Sequence, residues 1–88
     1  MNREIDTEGL AIFGRHVKAA RVAKGWPQEQ LAYASNVSLS QISRIEGGTQ
    51  NVTLSTILAI CKALNITLSE FTQDLHYPIP VKSKGKKK

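Results

Sequence analysis

Eighty-eight residues, 41% of them apolar and 22% charged, are enough for one small globular domain and not for two. The single Cys61 excludes an internal disulfide or a zinc knuckle, and the longest apolar run, Ile57 to Cys61, falls far short of a membrane span. Five of the twelve basic residues are lysines within 82–88, and the other seven balance the seven acidic side chains, so the net charge of +5 belongs to the tail. The start, MNREIDTEGL, lacks the apolar stretch of a secretory signal, so a cytoplasmic protein is expected.

Helical spacing recurs along the chain, and no period-two alternation is long enough for a strand. Asp6 or Thr7 can cap a first helix with Leu10, Phe13, Val17 and Ala20 on one buried face, stopped by Gly25. Arg15, Lys18, Arg21 and Lys24 recur every third residue and spread over half of this helix, as a solvated face would. Pro27 suits the first turn of a short second helix that ends near Ala34, with Leu31 and Ala32 facing inward. Ser35-Asn36-Val37 is a tight turn, and Asn36 tolerates the left-handed backbone it requires.

Ser38 with Gln41 forms a capping box that opens a third helix, with Ile42 and Ile45 buried and Gly47-Gly48 at its end. Thr53 caps a fourth, with Leu54, Ile57, Leu58, Cys61 and Leu64 at apolar-face spacing. Thr67 with Glu70 opens a fifth, carrying Leu68, Phe71 and Leu75, and Pro78 and Pro80 end regular helix. The expected organisation is an all-α domain over 6–77 and a Pro-bounded, Lys-rich flexible tail over 78–88.

The informative stretch runs from Gln28 to Gly47. A short helix, a three-residue turn and a second helix form a helix-turn-helix. Ala32 supplies the small residue where the two helices cross, and Asn36 the positive φ. Leu31, Val37, Ile42 and Ile45 supply the shared core.

The run KGWPQEQLAYASNVSLSQISRIEGG, followed by VTLSTILAICKALNITLSEF, resembles the lambda-repressor-like family of phage repressors and Cro, also called xenobiotic-response-element-like. The family pattern stands here as Arg21, Gly25, Gln28-Glu29-Gln30-Leu31-Ala32, Ile42-Ser43-Arg44-Ile45-Glu46 and Ile57 to Leu64, within a match covering about 10–75. Pro27 replaces the usual Ser or Thr cap, and Asn36 the usual turn glycine. The resemblance implies a compact five-helix domain that binds double-stranded DNA, usually as a dimer. It also implies an ion pair between Arg21 and Glu46 that ties the first helix to the end of the third.

On that reading the third helix, about Ser38 to Glu46, enters the major groove while the second lies across the backbone. Ser38, Leu39 and Ser40 form its tip. Leu39 can meet a thymine methyl or staple a neighbouring helix, and Ser40 can bond a base edge. Ser43 shares this helix, and Gln41 either reads DNA or serves the cap. Arg44, the helix's only cation, can bind guanine bidentately or clamp a phosphate. Gln28, at the start of the second helix, can grip a phosphate. In the loop beyond, Thr49 and Asn51 can donate to the backbone, while Trp26 packs under the preceding turn.

A homodimer on a pseudo-palindromic operator is expected, with Leu68, Phe71 and Leu75 of the fifth helix, and Tyr77 beside them, offering the interface. Neither histidine, His16 nor His76, has a carboxylate or thiol at ligand spacing, and no metal, cofactor or small-molecule ligand is indicated. The chain carries no phosphate loop or catalytic constellation, so an enzyme is not expected. The alternative is a protein-interaction module, antitoxin-like or regulator-binding, built on the same fold.

Overall fold

A computed structural model describes residues 7–72 as five helices and, among those residues, no strand. They are α1 (Thr7–Ala23), α2 (Gln28–Ser35), α3 (Leu39–Glu46), α4 (Leu54–Leu64) and α5 (Leu68–Thr72). No helix among them is long and apolar enough to cross a membrane. Asp6, Leu75, His76, Tyr77 and the tail lie outside the described residues.

Side-chain caps fix where three of the helices begin. Ser38 Oγ accepts from the Gln41 N–H at 3.2 Å, and Thr53 Oγ1 accepts from the Thr56 N–H at 3.3 Å. At α5 the capping box closes both ways. Glu70 donates its N–H to Thr67 Oγ1 at 3.1 Å, and its carboxylate accepts the Thr67 N–H at 2.8 Å. Pro27 stands at the cap of α2 rather than within its first turn, extended at φ −73° and ψ 167° and making no side-chain cap bond.

The ends of α1 to α4 share one device. Gly25, Asn36, Gly48 and Asn65 each take a left-handed backbone, with φ of 73°, 60°, 75° and 57°. The next residue then sends its N–H back five positions: Trp26 to Arg21, Val37 to Ala32, Thr49 to Arg44 and Ile66 to Cys61, at 3.0–3.2 Å. Trp26, Val37 and Ile66 pack against the core, so each stop also contributes an apolar anchor. Thr49 is the exception, exposed and polar. Ser35 belongs to α2 rather than to the turn, and its buried hydroxyl is satisfied by donating to the Leu31 carbonyl at 2.7 Å.

The core comprises Phe13, Val17, Leu31, Ile42, Ile45, Ile60, Cys61, Leu64 and Phe71. Burying each of the larger aliphatic side chains contributes about 1.5–3 kcal/mol. Phe13 and Phe71 meet edge to face with ring centroids 5.3 Å apart, and His16 Nδ1 bonds the Phe71 carbonyl, so α5 is fastened to α1. On α1 only Phe13 and Val17 of the expected apolar face are fully covered, while Leu10 and Ala20 are half-buried. The face expected for α4 is rotated. Ile60 is fully buried, whereas Leu54 and Leu58 are 62% and 43% exposed, because α2 and α5 cover the side bearing Ile57, Ile60, Cys61 and Leu64. Burial pushes the Cys61 thiol above its ordinary pKa, which keeps it a neutral core residue.

α1 and α3 touch backbone to backbone. A Cβ on Gly14 would lie 2.3 Å from the Ile45 carbonyl oxygen and 2.8 Å from that of Glu46. Beside this contact Arg21 Nε donates to Glu46 Oε2 at 2.7 Å and Nη2 to Oε1 at 3.0 Å, while Nη1 donates to the Trp26 carbonyl at 2.7 Å. Both side chains are nearly inaccessible, at 11% and 4% exposure. The bond to Glu46 raises the already high pKa of Arg21, so the guanidinium stays charged. With three of its N–H donors engaged inside the fold, Arg21 ties α1 to the end of α3 and to the turn at Trp26.

Gly14→Ala is expected to lose about 1–3 kcal/mol by overpacking. Gly25→Ala, where a Cβ meets nothing within 4 Å, should lose only the roughly 1–2 kcal/mol of its left-handed backbone. Urea denaturation compares them, and a Gly14→Ala protein as stable as wild type would show that the helices can separate freely. Arg21→Met alone should cost about 3–5 kcal/mol by stranding Glu46, and Arg21→Met with Glu46→Leu should restore much of that loss. A double variant no more stable than the single one would contradict this account.

Candidate nucleic-acid interface

α2 and α3 share the core through Leu31, Ile42 and Ile45, with half-buried Ala32 packed against it. Because Ile42 and Ile45 are held inward at 0% and 1% exposure, the opposite side of α3 must face solvent. That side presents Ser38, Leu39, Ser40, Ser43 and Arg44, all exposed. Leu39, at 43% exposure, is an apolar side chain outside the core on a helix tip. Gln41 is half-buried, and its N–H is the one the Ser38 hydroxyl caps.

Gln28 is placed differently from the sequence expectation. It is half-buried, and its amide Nε2 donates to Glu46 Oε1 at 3.1 Å. The Glu46 carboxylate therefore receives Arg21 from α1 and Gln28 from α2 while standing at the end of α3. Gln28 contributes to the orientation of the two helices, and its reach toward a backbone phosphate is shortened by that bond.

Beyond α3 the chain turns through Gly47 and Gly48. A Cβ on Gly48 would sit 2.9 Å from the Ala11 backbone, so the turn lies directly on α1. Thr49 donates both its N–H, at 3.0 Å, and its hydroxyl, at 3.3 Å, to the Arg44 carbonyl. Thr49 and Asn51 are exposed beside α3. Gln50, one of the polar loop residues but given no bond of its own by the sequence, accepts from Arg44 Nε at 2.9 Å. The two are six positions apart, which is not a helical spacing; only the Gly47-Gly48 stop signals that the chain folds back here.

Elsewhere, Lys24 Nζ lies 5.2 Å from the centre of the Trp26 ring, and Trp26 packs against the core, as a residue beneath a turn. Among the described residues no group of histidine, cysteine or acidic side chains is arranged to hold a metal. Of the expected dimer surface, Leu68 is exposed, Leu75 lies outside the described residues, and Phe71 alone is contradicted. Phe71 is 1% exposed and packed edge to face against Phe13, so it is committed to its own core. Val22, Tyr33, Leu39, Leu54, Leu58 and Leu68 are the exposed large apolar side chains among the described residues; Leu58 and Leu68 line one groove with Lys62, Asn65 and Ile66, and Leu54 stands one turn before Leu58 on α4.

The helix-turn-helix family profile matches residues 17–71. The control protein C.BamHI of Bacillus amyloliquefaciens is 41% identical over 56 residues, covering 62% of this chain and 69% of that protein. A competence pilus inhibition repressor of Acinetobacter baylyi is 39% identical over 57 residues, and the match spans 65% of this chain but only 52% of that repressor. Among solved structures, the restriction-modification controller C.AhdI of Aeromonas hydrophila superposes with a TM-score of 0.69 at 39% identity, over 70% of this chain and 94% of that one. The controller C.Esp1396I, solved as a tetramer on its natural 35 base-pair operator, gives 0.70 at 33% identity, over 82% and 93%. None of these relatives is named for a catalysed reaction. The chain is a member of the helix-turn-helix family.

Proposed function

We propose that this protein is a transcriptional regulator that binds double-stranded DNA in a sequence-specific manner, as a homodimer on a pseudo-palindromic operator. The observation that carries the reading is the division of α3. Its apolar side is sealed against α1 and α2, and its other side offers Leu39, Ser40, Ser43 and Arg44 on a helix held by a buried ion pair. A helix fixed in this way and exposed at its N-terminal end suits the major groove, where Ser40 and Arg44 meet base edges and Leu39 a thymine methyl. Ser38 stands beside them at the tip, Gln41 serves its cap, and exposed Thr49 and Asn51 can donate to a backbone phosphate. Control proteins and a repressor among its relatives support this reading, and such a regulator works in the bacterial cytoplasm.

A single recognition helix spans few base pairs, and a two-fold dimer sets two of them about 34 Å apart. Leu54, Leu58 and Leu68 are the surface that a partner copy would cover. Leu75 and the lysines of 82–88 lie outside the described residues; the lysine charge is suited to raising nonspecific affinity for the DNA polyanion.

Selection of bound duplexes from a random pool tests the reading directly: a symmetric consensus supports it, and no enrichment refutes it. On the selected operator, Ser40→Ala and Arg44→Ala should each lose about 1–3 kcal/mol with little change on random DNA. Gln28→Ala removes a tie between α2 and the end of α3 and should weaken operator binding through the orientation of the two helices. Leu58→Asp should sediment as a monomer and lose tight operator binding; a dimer as stable as wild type would place the interface elsewhere. Removing 82–88 should flatten the salt dependence of binding without reordering the preferred sequences, and an unchanged slope would leave the tail without a DNA role.

A further inference from the structure

We infer that Gln50, which lies outside the recognition helix, is a specificity-determining residue that sets which edge of Arg44 faces the bases. The inference rests on the DNA-binding reading above. A guanidinium has only donors, so the group bonded to Arg44 Nε at 2.9 Å is the side-chain amide oxygen of Gln50, Oε1. With Nε engaged, the side-on edge of Arg44 is closed. The end-on pair of Nη groups remains, a geometry that matches the O6 and N7 acceptors of guanine.

The loop that carries Gln50 is built to hold it there. Of the four helix stops made by a left-handed residue, three are followed by an apolar residue anchored in the core. The fourth, at the end of α3, is followed by Thr49. Thr49 ties the loop to the Arg44 carbonyl through both its N–H and its hydroxyl, so backbone and side chain of Arg44 are gripped by consecutive loop residues. Gly48 packs on Ala11 with no room for a Cβ, which fixes the loop against α1. Gln50 is half-buried, while Arg44 is exposed. A loop that merely closed a helix would not need to engage the side chain of the helix's only cation.

The test is a double-mutant cycle on the operator recovered by selection, with every base pair of a half-site varied in turn. Gln50→Ala should relax preference about tenfold at the base pair whose preference Arg44→Ala abolishes, and leave affinity for random DNA unchanged. In the Arg44→Ala background it should add no further loss. Gln50→Glu keeps an oxygen acceptor for Nε and should retain preference at that pair. In the free protein, the NMR signal of the Arg44 Nε–H should exchange slowly with water in wild type and rapidly in Gln50→Ala. Equal losses from Gln50→Ala with and without Arg44, or fast Nε–H exchange in wild type, would overturn the inference while leaving the DNA-binding reading standing. Failure of the wild-type protein to select any duplex would overturn both.

Discussion

The Glu46 carboxylate is where the fold and the candidate interface are joined. It stands at the last turn of α3, almost inaccessible, and receives the fork of Arg21 from α1 and the amide of Gln28 from α2. A buried pair of this kind adds little net stability, because removing two charges from water costs about what their attraction returns. Its effect is on geometry. Apolar contacts between helices tolerate a rotation or a slide at small cost, whereas a bidentate fork has one low-energy arrangement. Three helices converge on one carboxylate, and that sets how far the tip of α3 protrudes and in which direction.

The same preference for fixed geometry recurs at the helix ends. Four consecutive helices stop on a left-handed residue and send the next N–H back five positions. Each stop satisfies terminal carbonyls that a frayed end would leave to solvent. Three of them also commit an apolar side chain to the core, so termination and tertiary packing are decided by the same two residues. Only at the end of α3 is the left-handed residue followed by a polar, exposed one, Thr49.

Most of the architecture is legible in the sequence, since helix boundaries depend on local chemistry. Ser38, Thr53, and Thr67 with Glu70 mark their helix starts through hydroxyls that can reach only the neighbouring backbone. What is not legible depends on packing between distant elements. Periodicity along α4 suits a face through Leu54 and Leu58 nearly as well as one through Ile60, and only the positions of α2 and α5 decide between them. Phe71 reads as a spare apolar residue on a short helix until Phe13 is brought against it across the fold. Gln28 reads as exposed because the carboxylate that draws it inward is contributed from eighteen positions further along. Gly14 gives no local signal, being an unremarked small residue in mid-helix, yet it decides how close α1 and α3 can come.

That closeness bears on how a duplex would be accommodated. With backbone against backbone at Gly14 and a loop pressed on Ala11 at Gly48, α1 and α3 behave as one solid piece. Such a piece cannot shift to suit an operator whose groove is slightly too narrow or too straight. The adjustment would then fall on the nucleic acid, and its energy would depend on how readily each base step bends or twists. Base pairs that no side chain touches would thus carry sequence information through their stiffness, an effect that originates in the absence of a single methyl group on α1.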